Sequence, residues 1–312
     1  MKFGIIGCGK ITERFLKGCC LCEDVEVVAA ASRDLQKAKD FCMQHQISLA
    51  YGSYEALCKD NTVDAVYIAT PPFTHYALAK MALMNGKHVL CEKPFLSSEN
   101  EVKELFELAR TNGLMIMEAM KAVFTPTTLQ VKAWLDEGKI GELKYAEAGY
   151  CYKSPFGYDH WVYDAHKMGG SMLDVGVYAI AYLNRLIGRD IIESVALSTK
   201  SVTGCDEFKQ ILIKYEHHVQ ASVRAALNVK TRNIAYFYGT LGYIEVDEFW
   251  KSKKAKLISY KGETIEFFDD FPSEFKFQIE HFVQCIKKGT FESPVMSEQA
   301  SLAIIKLINQ HL

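Results

Sequence analysis

The sequence predicts an α/β protein: an N-terminal doubly wound Rossmann domain, then an α+β domain with a large open, mostly antiparallel sheet. Three observations predict it. From residue 2 to 117, short apolar runs alternate with helical patterns, which is the signature of βαβ units and a parallel sheet. Gly7-Cys8-Gly9 falls between the first apolar run and the first helix. After Glu118 the alternation gives way to successive long strand-like runs. A chain of 312 residues suits two domains, placed here at 1–120 for dinucleotide binding and 121–312 for substrate binding and self-association.

In the first domain, strands are expected at 3–6, 25–31, 65–69, 88–91 and 115–117, with helices beginning near Ile11, Leu35, Tyr54, His75 and Glu99. Asn85-Gly86 and Asn112-Gly113 supply left-handed helix stops, and Ser98 with Glu101 forms a capping box. Val102, Leu105, Phe106 and Ala109 have the i, i+3, i+4, i+7 spacing of a buried helix face.

The glycine motif runs on into Lys10, Ile11 and Thr12. Gly7 allows a tight turn, and Gly9 lets backbone approach a pyrophosphate at the positive N-terminus of the helix that Lys10 and Ile11 open. Thr12 stands where a third glycine is usual. Ser32-Arg33 follows the second strand; an arginine there suits the 2′-phosphate of NADP, whereas NAD sites present an acid. Asp34 is the one acid nearby, and its place before Leu35 and Gln36 fits a helix N-cap better. The reading is therefore NADP, with NAD possible.

Thr70-Pro71-Pro72 makes a rigid turn after the third of these strands, where the nicotinamide half would pass. His75 fits either a cofactor contact or a helix-starting residue. The run from His88 ends in Glu92-Lys93-Pro94 at the carboxyl edge of the sheet, where open α/β folds take their ligands. Pro94 keeps Lys93 out of helical dihedrals and holds it on a stiff backbone. An isolated Lys-Pro is ordinarily a surface lysine; here Glu92 and Lys93 join the cofactor-binding set.

A formal charge of −2 gives no reason to expect nucleic acid or an anionic membrane as partner. No apolar run reaches the roughly 18 residues of a membrane span, and the N-terminus is too short for a signal segment, so the expected location is cytoplasmic. The ten cysteines sit mostly inside predicted elements, and the one cluster, Cys19-Cys20-Leu21-Cys22, lacks a second ligand pair. No metal is expected.

In the second domain a helix at 126–137 is closed by Gly138, and strands are expected at 144–152, 194–199, 210–215 and 219–226. Val219, Ala221, Val223 and Ala225 alternate with Gln220, Ser222 and Arg224, the pattern of a sheet with one buried face. Gly239-Thr240-Leu241-Gly242 reads as a turn between two more strands, and helices at 273–287 and 297–312 finish the chain. Within Gly169-Gly170-Ser171-Met172-Leu173-Asp174-Val175-Gly176-Val177-Tyr178, residues Met172, Val175, Gly176, Ala179, Ile180, Leu183 and Ile187 form one apolar helical stripe. Asp174 and Tyr178, four apart, stack beside it. They suit a clamp on a substrate hydroxyl, or a carboxylate serving the helix dipole and a packed phenol. Tyr152, Phe156, Tyr158, Trp161 and Tyr163 crowd the preceding segment, as the wall of a substrate cleft, with Tyr158 and Trp161 foremost, or as packing of a long loop.

Together these motifs resemble the glucose–fructose oxidoreductase / inositol dehydrogenase / rhizopine-catabolism (Gfo/Idh/MocA) family. Its marks are Gly7-Cys8-Gly9, Thr70-Pro71-Pro72 with His75, the run from Gly86 to Pro94, Gly169-Gly170 to Tyr178, and Gly239 to Gly242. The resemblance implies homodimers or homotetramers formed through the C-terminal sheet. Tyr178 stands where many members carry histidine. With Arg33 and Glu118-Ala119-Met120, it is similar to the dimeric dihydrodiol dehydrogenase / NADP-dependent D-xylose dehydrogenase branch. What it implies is Lys93 and Tyr178 as catalytic residues and Asp174 as a substrate-side partner. It does not carry over a substrate, since close relatives oxidise different sugars and diols, and the expectation stays at a sugar or cyclic diol. Two rivals stand beside it: a carbonyl or imine reductase using Lys93 alone, and a regulatory protein that senses NADP without turnover.

Overall fold

In the computed structural model, which describes residues 1–312, the alternating part forms β1 (Lys2–Ile6), α1 (Lys10–Cys19), β2 (Glu26–Ala31), α2 (Leu35–His45), β3 (Leu49–Tyr51), α3 (Tyr54–Cys58), β4 (Ala65–Ile68), α4 (His75–Met84), β5 (His88–Glu92), α5 (Glu99–Thr111) and β6 (Ile116–Ala119). All six strands are parallel, in the order β3-β2-β1-β4-β5-β6. The order reverses between β1 and β4, and at that switch point the strand ends open a crevice for ligands. Helices cover both faces, so every residue of β4 is buried. β3 escaped the sequence reading because three residues carry no periodicity.

The local signals act as read. Asp34 caps α2, its carboxylate accepting from Gln36 N at 2.8 Å and Lys37 N at 3.2 Å. Ser98 Oγ accepts from Asn100 N, and the Glu101 carboxylate takes the Ser98 backbone N–H. Gly86 and Gly113 end α4 and α5 at φ +75° and +63°, where a side chain would be strained.

The rest of the chain forms α6 (Pro126–Asp136), β7 (Leu143–Cys151), α7 (Val177–Ile187), β8 (Ile191–Lys200), β9 (Asp206–Tyr215), β10 (Gln220–Ala226), β11 (Ile234–Gly239), β12 (Gly242–Asp247), β13 (Lys254–Ser259), β14 (Thr264–Phe268), α8 (Phe275–Lys287) and α9 (Glu298–Asn309). Its eight-stranded sheet runs β14-β13-β12-β11-β7-β10-β9-β8, antiparallel except for β7 beside β10. β13 and β14 were not foreseen: lysines and glutamates break their apolar alternation, and one such pair, Lys256 and Glu266, meets across the strands at 2.6 Å. Ser222 was expected on the open face, but the Tyr145 hydroxyl lies 2.9 Å from its Oγ and the Tyr145 side chain covers it.

Two units emerge: Met1–Ala119 with Ser273–Leu302, and Met120–Pro272 with Ala303–Leu312. This differs from a single cut at residue 120, because α8 packs on α1. A Cβ on Gly18 would lie only 2.7 Å from Phe275 Cβ, and Phe282 meets Phe3 with ring centroids 5.9 Å apart. The core of the first unit continues through Phe15, stacked on Tyr67 at 3.7 Å. In the second unit α7 lies on the sheet, and Tyr182 packs against Phe249 and Phe237 at 4.9 and 6.0 Å.

Candidate active site

In the first unit the strand ends gather the sequence-predicted cofactor residues. Gly7 has φ +104°, and a Cβ there would sit 2.9 Å from both Ala69 O and Thr70 Cγ2, so the ends of β1 and β4 can approach only with glycine at this position. Gly9 is the N-cap of α1, has no side chain to cap the helix, and borders open space: a Cβ there would meet nothing within 4 Å. Lys10 is exposed and Ile11 half-buried beside it. Thr12 fits in place of a third glycine because its buried hydroxyl donates to Gly7 O at 2.9 Å, tying helix to turn.

At the end of β2, Ser32 is buried, with its Oγ accepting from Asp34 N at 3.3 Å. Arg33 is exposed, and its charge bears on the Tyr54 phenol. Lys37 lies one turn further on, and its charge bears on the Cys8 thiol, which burial nevertheless pushes up to about 11. These residues fit a dinucleotide: a bare helix N-terminus for the pyrophosphate, then cations where a 2′-phosphate would lie.

Beyond β4, Thr70 Oγ1 and Thr74 Oγ1 are 2.7 Å apart, and Pro71 is exposed. His75 is wholly buried, with Nδ1 facing Pro94 O at 3.0 Å and Phe95 O at 3.2 Å, and Nε2 facing Thr70 O at 3.0 Å. Its ring thus braces the Thr70 turn against the turn after β5. Burial lowers its pKa below the ordinary histidine value, against the pull of those carbonyls.

Lys93 is half-buried at a cis Lys93–Pro94 peptide, and its backbone N–H donates to Glu92 Oε2 at 3.3 Å. Glu92 Oε1 accepts from the Tyr67 hydroxyl at 2.6 Å. Glu118, at the end of β6, is 2% exposed. It accepts hydrogen bonds from the Ser301 hydroxyl and the Phe95 backbone. Burial raises its pKa to about 7, Glu92 adds to the rise, and Lys93 opposes it. A buried acid pair therefore stands behind the lysine. Glu118 entered the sequence reading only as a family mark, since a lone glutamate at a strand end carries no further signal.

In the second unit Asp174 and Tyr178 do not lie on one regular helix. Met172–Gly176 is a π-helical turn, and α7 begins at Val177. The wider turn alters the four-residue spacing that was expected to stack the two side chains. Asp206 sets where the turn starts: its Oδ2 accepts from Met172 N at 2.8 Å and from Ser171 Oγ at 2.5 Å. Gly170, at φ +122°, leaves room for that carboxylate, since a Cβ would lie 2.4 Å from Asp206 Oδ1. Asp206 had no signal in the sequence.

Asp174 Oδ2 accepts from the Tyr152 hydroxyl at 2.7 Å. That phenol's pKa is raised, first by burial and then by the Asp174 charge, so it stays a donor. Tyr178 is 6% exposed, with its ring 5.9 Å from Tyr150. Tyr150 is in turn stacked on Trp250 at 3.7 Å. Lys121, absent from the sequence reading, is 2% exposed with its Nζ 5.9 Å from the Tyr178 ring centroid. Trp161 and Tyr152 pack on the cluster of Val162, Tyr163, Cys205 and Leu227. Tyr158 is half exposed and meets Tyr163 edge-on at 4.9 Å. Tyr152 thus links the predicted substrate aromatics to Asp174.

Residues 1–120 match the model of an oxidoreductase family with an NAD-binding Rossmann fold, and residues 128–245 match the Gfo/Idh/MocA C-terminal domain. The trans-1,2-dihydrobenzene-1,2-diol dehydrogenase of Xenopus tropicalis is 32% identical over 324 residues, covering 100% of this chain and 97% of its own. The human protein of that name is 32% identical, covering 98% and 94%. A 3-ketoreductase from Actinomadura kijaniata, solved with NADP and TDP-benzene, superposes with a TM-score of 0.89 at 28% identity, covering 99% of this chain and 96% of its own. An aldose–aldose oxidoreductase from Caulobacter crescentus shares the fold, with a TM-score of 0.90 at 19% identity and the same coverage. No helix is long and apolar enough to cross a membrane. With both domain models matched in order and curated relatives aligned end to end, the chain belongs to the Gfo/Idh/MocA family of NAD(P)-binding oxidoreductases.

Proposed function

We propose that this protein is an NADP-preferring dehydrogenase that interconverts a secondary hydroxyl and a carbonyl on a cyclic diol or sugar. The observation that carries the reading is the end-to-end similarity to dihydrobenzenediol dehydrogenases in a chain whose sequence carries Lys93, Asp174 and Tyr178. Arg33, exposed at the end of β2, supports NADP over NAD.

When bound, the nicotinamide supplies the hydride-accepting and hydride-donating carbon. The protein must orient the substrate and manage one proton. The Tyr178 phenol oxygen takes the substrate hydroxyl proton during oxidation and returns it during reduction. A free phenol titrates at about 10, too high for a base near neutrality, so the Lys93 ammonium serves to favour its ionised form. Asp174, oriented by the Tyr152 hydroxyl, accepts a hydrogen bond from a neighbouring substrate hydroxyl. Gly7, Gly9 and the start of α1 hold the pyrophosphate.

The test is a panel of trans-diols of cyclic hydrocarbons, aldoses and 3-keto sugars, followed by NADPH absorbance in both directions. Turnover of diols or sugars with NADP, abolished in Tyr178→Phe, is the expected result. Tight NADPH binding without turnover of any member would make the protein a sensor. Turnover of carbonyls alone that survives Tyr178→Phe would assign the proton to Lys93.

A further inference from the structure

We propose that Lys121 is a positioning residue for Tyr178, its ammonium holding the phenol ring and favouring the ionised oxygen; this rests on the reading of Tyr178 as the group that takes the proton. The placement is unusual. Lysine is almost never fully buried unless its charge is compensated, because removing an ammonium from water is expensive. Lys121 is 2% exposed, on the short 3₁₀ turn Lys121–Val123 that follows β6. That turn packs on α7, the helix carrying Tyr178. Lys121 Nζ lies 5.9 Å from the Tyr178 ring centroid, within the range at which a cation is drawn to an aromatic face. In a desolvated setting this attraction is stronger than at a surface, and a fixed positive charge there also lowers the energy of a phenolate.

Other groups also bear on Tyr178. From β7 comes the phenol of Tyr150, 5.9 Å ring to ring, and just past its end lies Tyr152, whose hydroxyl is committed to Asp174. From the π turn comes Asp174 itself, an acid, which opposes ionisation of the phenol. β10 faces the π turn with small side chains, Ala225 approaching Gly176, while Arg224 lies on the opposite face of the sheet beside Gly149. Lys251 sits over Trp250, its Nζ 5.9 Å from that ring centroid. Lys121 is thus a cation of this unit set against the ring.

The experiment compares wild type with Lys121→Met, which keeps bulk and loses charge, and Lys121→Arg, which keeps charge. Two readouts are taken on the NADP complex. One is the pH profile of kcat in the oxidation direction. The other is ultraviolet difference titration of phenolate, with Tyr178→Phe subtracted to isolate one tyrosine among the sixteen. In Lys121→Met the limb along which activity rises with pH should move up by about one unit, and the Tyr178 titration should move with it. Lys121→Arg should return both toward wild type.

A kcat loss that is equal at all pH values, with the titration unmoved, would reduce Lys121 to packing and overturn the proposal. If Lys121→Met does not fold, the charge-retaining Lys121→Arg and a Lys121→Gln variant are titrated instead; a Gln variant matching wild type would overturn the proposal equally. Full activity of Tyr178→Phe would overturn the general-base reading alone. The difference titration would still report whether Lys121 acts on the phenol.

Discussion

Ser301 Oγ donates to Glu118 Oε2 at 2.8 Å, joining the first turn of α9 to the end of β6 between two side chains that are 3% and 2% exposed. Even with this bond and the Phe95 N–H, burial lifts the Glu118 pKa from 4.5 to about 7. The folded protein therefore holds a proton that the unfolded chain releases above pH 4.5. Stability is full below that pH, falls as pH rises towards 7, and is level above it. For a shift of this size the loss is on the order of 3 kcal/mol. Urea denaturation of the cofactor-free protein from pH 5 to pH 8 should show the decline in wild type. It should be much smaller in Glu118→Gln, which keeps an acceptor for Ser301. Parallel pH dependence in the two proteins would show that Glu118 is ionised throughout.

Arg33 should decide the cofactor. A charge-assisted contact with a 2′-phosphate contributes roughly one to two decades of affinity. Arg33→Ala should weaken NADP binding by that factor and leave NAD nearly unaffected, as read by fluorescence titration of the reduced cofactors. Equal losses for both would mean that Arg33 only supports the loop through Tyr54.

Lys93→Met and Tyr178→Phe should each lower kcat by about 10²–10⁴ with cofactor affinity largely kept, the usual weight of general acid–base catalysis. The double variant should be little worse than either single one, because both residues act on one proton. Fully additive losses would assign them separate tasks.

Asp206→Ala should act at a distance from the chemistry. It removes the acceptor for Ser171 Oγ and Met172 N, leaving buried donors unpaired at a cost of about 2–4 kcal/mol in stability. The start of the π turn then loses its anchor, so kcat should fall more than KM rises. A variant that is less stable but kinetically normal would show that the turn holds itself.

Much of this was legible because the chemistry is local. Gly7 announces its turn by lacking a Cβ, Asp34 caps α2 from the position just before the first helical residue, and Lys93-Pro94 closes a strand with two residues poorly suited to continue it. What escaped depends on tertiary packing. Lys121 reads as an ordinary surface lysine, and only the turn after β6 buries it against Tyr178. Asp206 opens a strand 28 residues after Tyr178, and nothing nearby hints that it anchors the π turn. His75 looked as suited to a ligand as to a helix start; its two nitrogens prove to be turned to three backbone carbonyls.

The first unit is discontinuous, and this imposes an order on biosynthesis. Ser273–Leu302 is made near the end of translation yet completes the unit made first. When Ala119 leaves the ribosome, all six parallel strands have been made but the α1 face around Gly18 still lacks Phe275, and Phe3 lacks Phe282. Glu118 is likewise without Ser301. At ordinary elongation rates that apolar surface waits roughly ten to thirty seconds for its cover. A chaperone that binds nascent chains would find its longest-lived target there, and a ribosome stalled before residue 273 would display a dinucleotide-binding sheet unable to close.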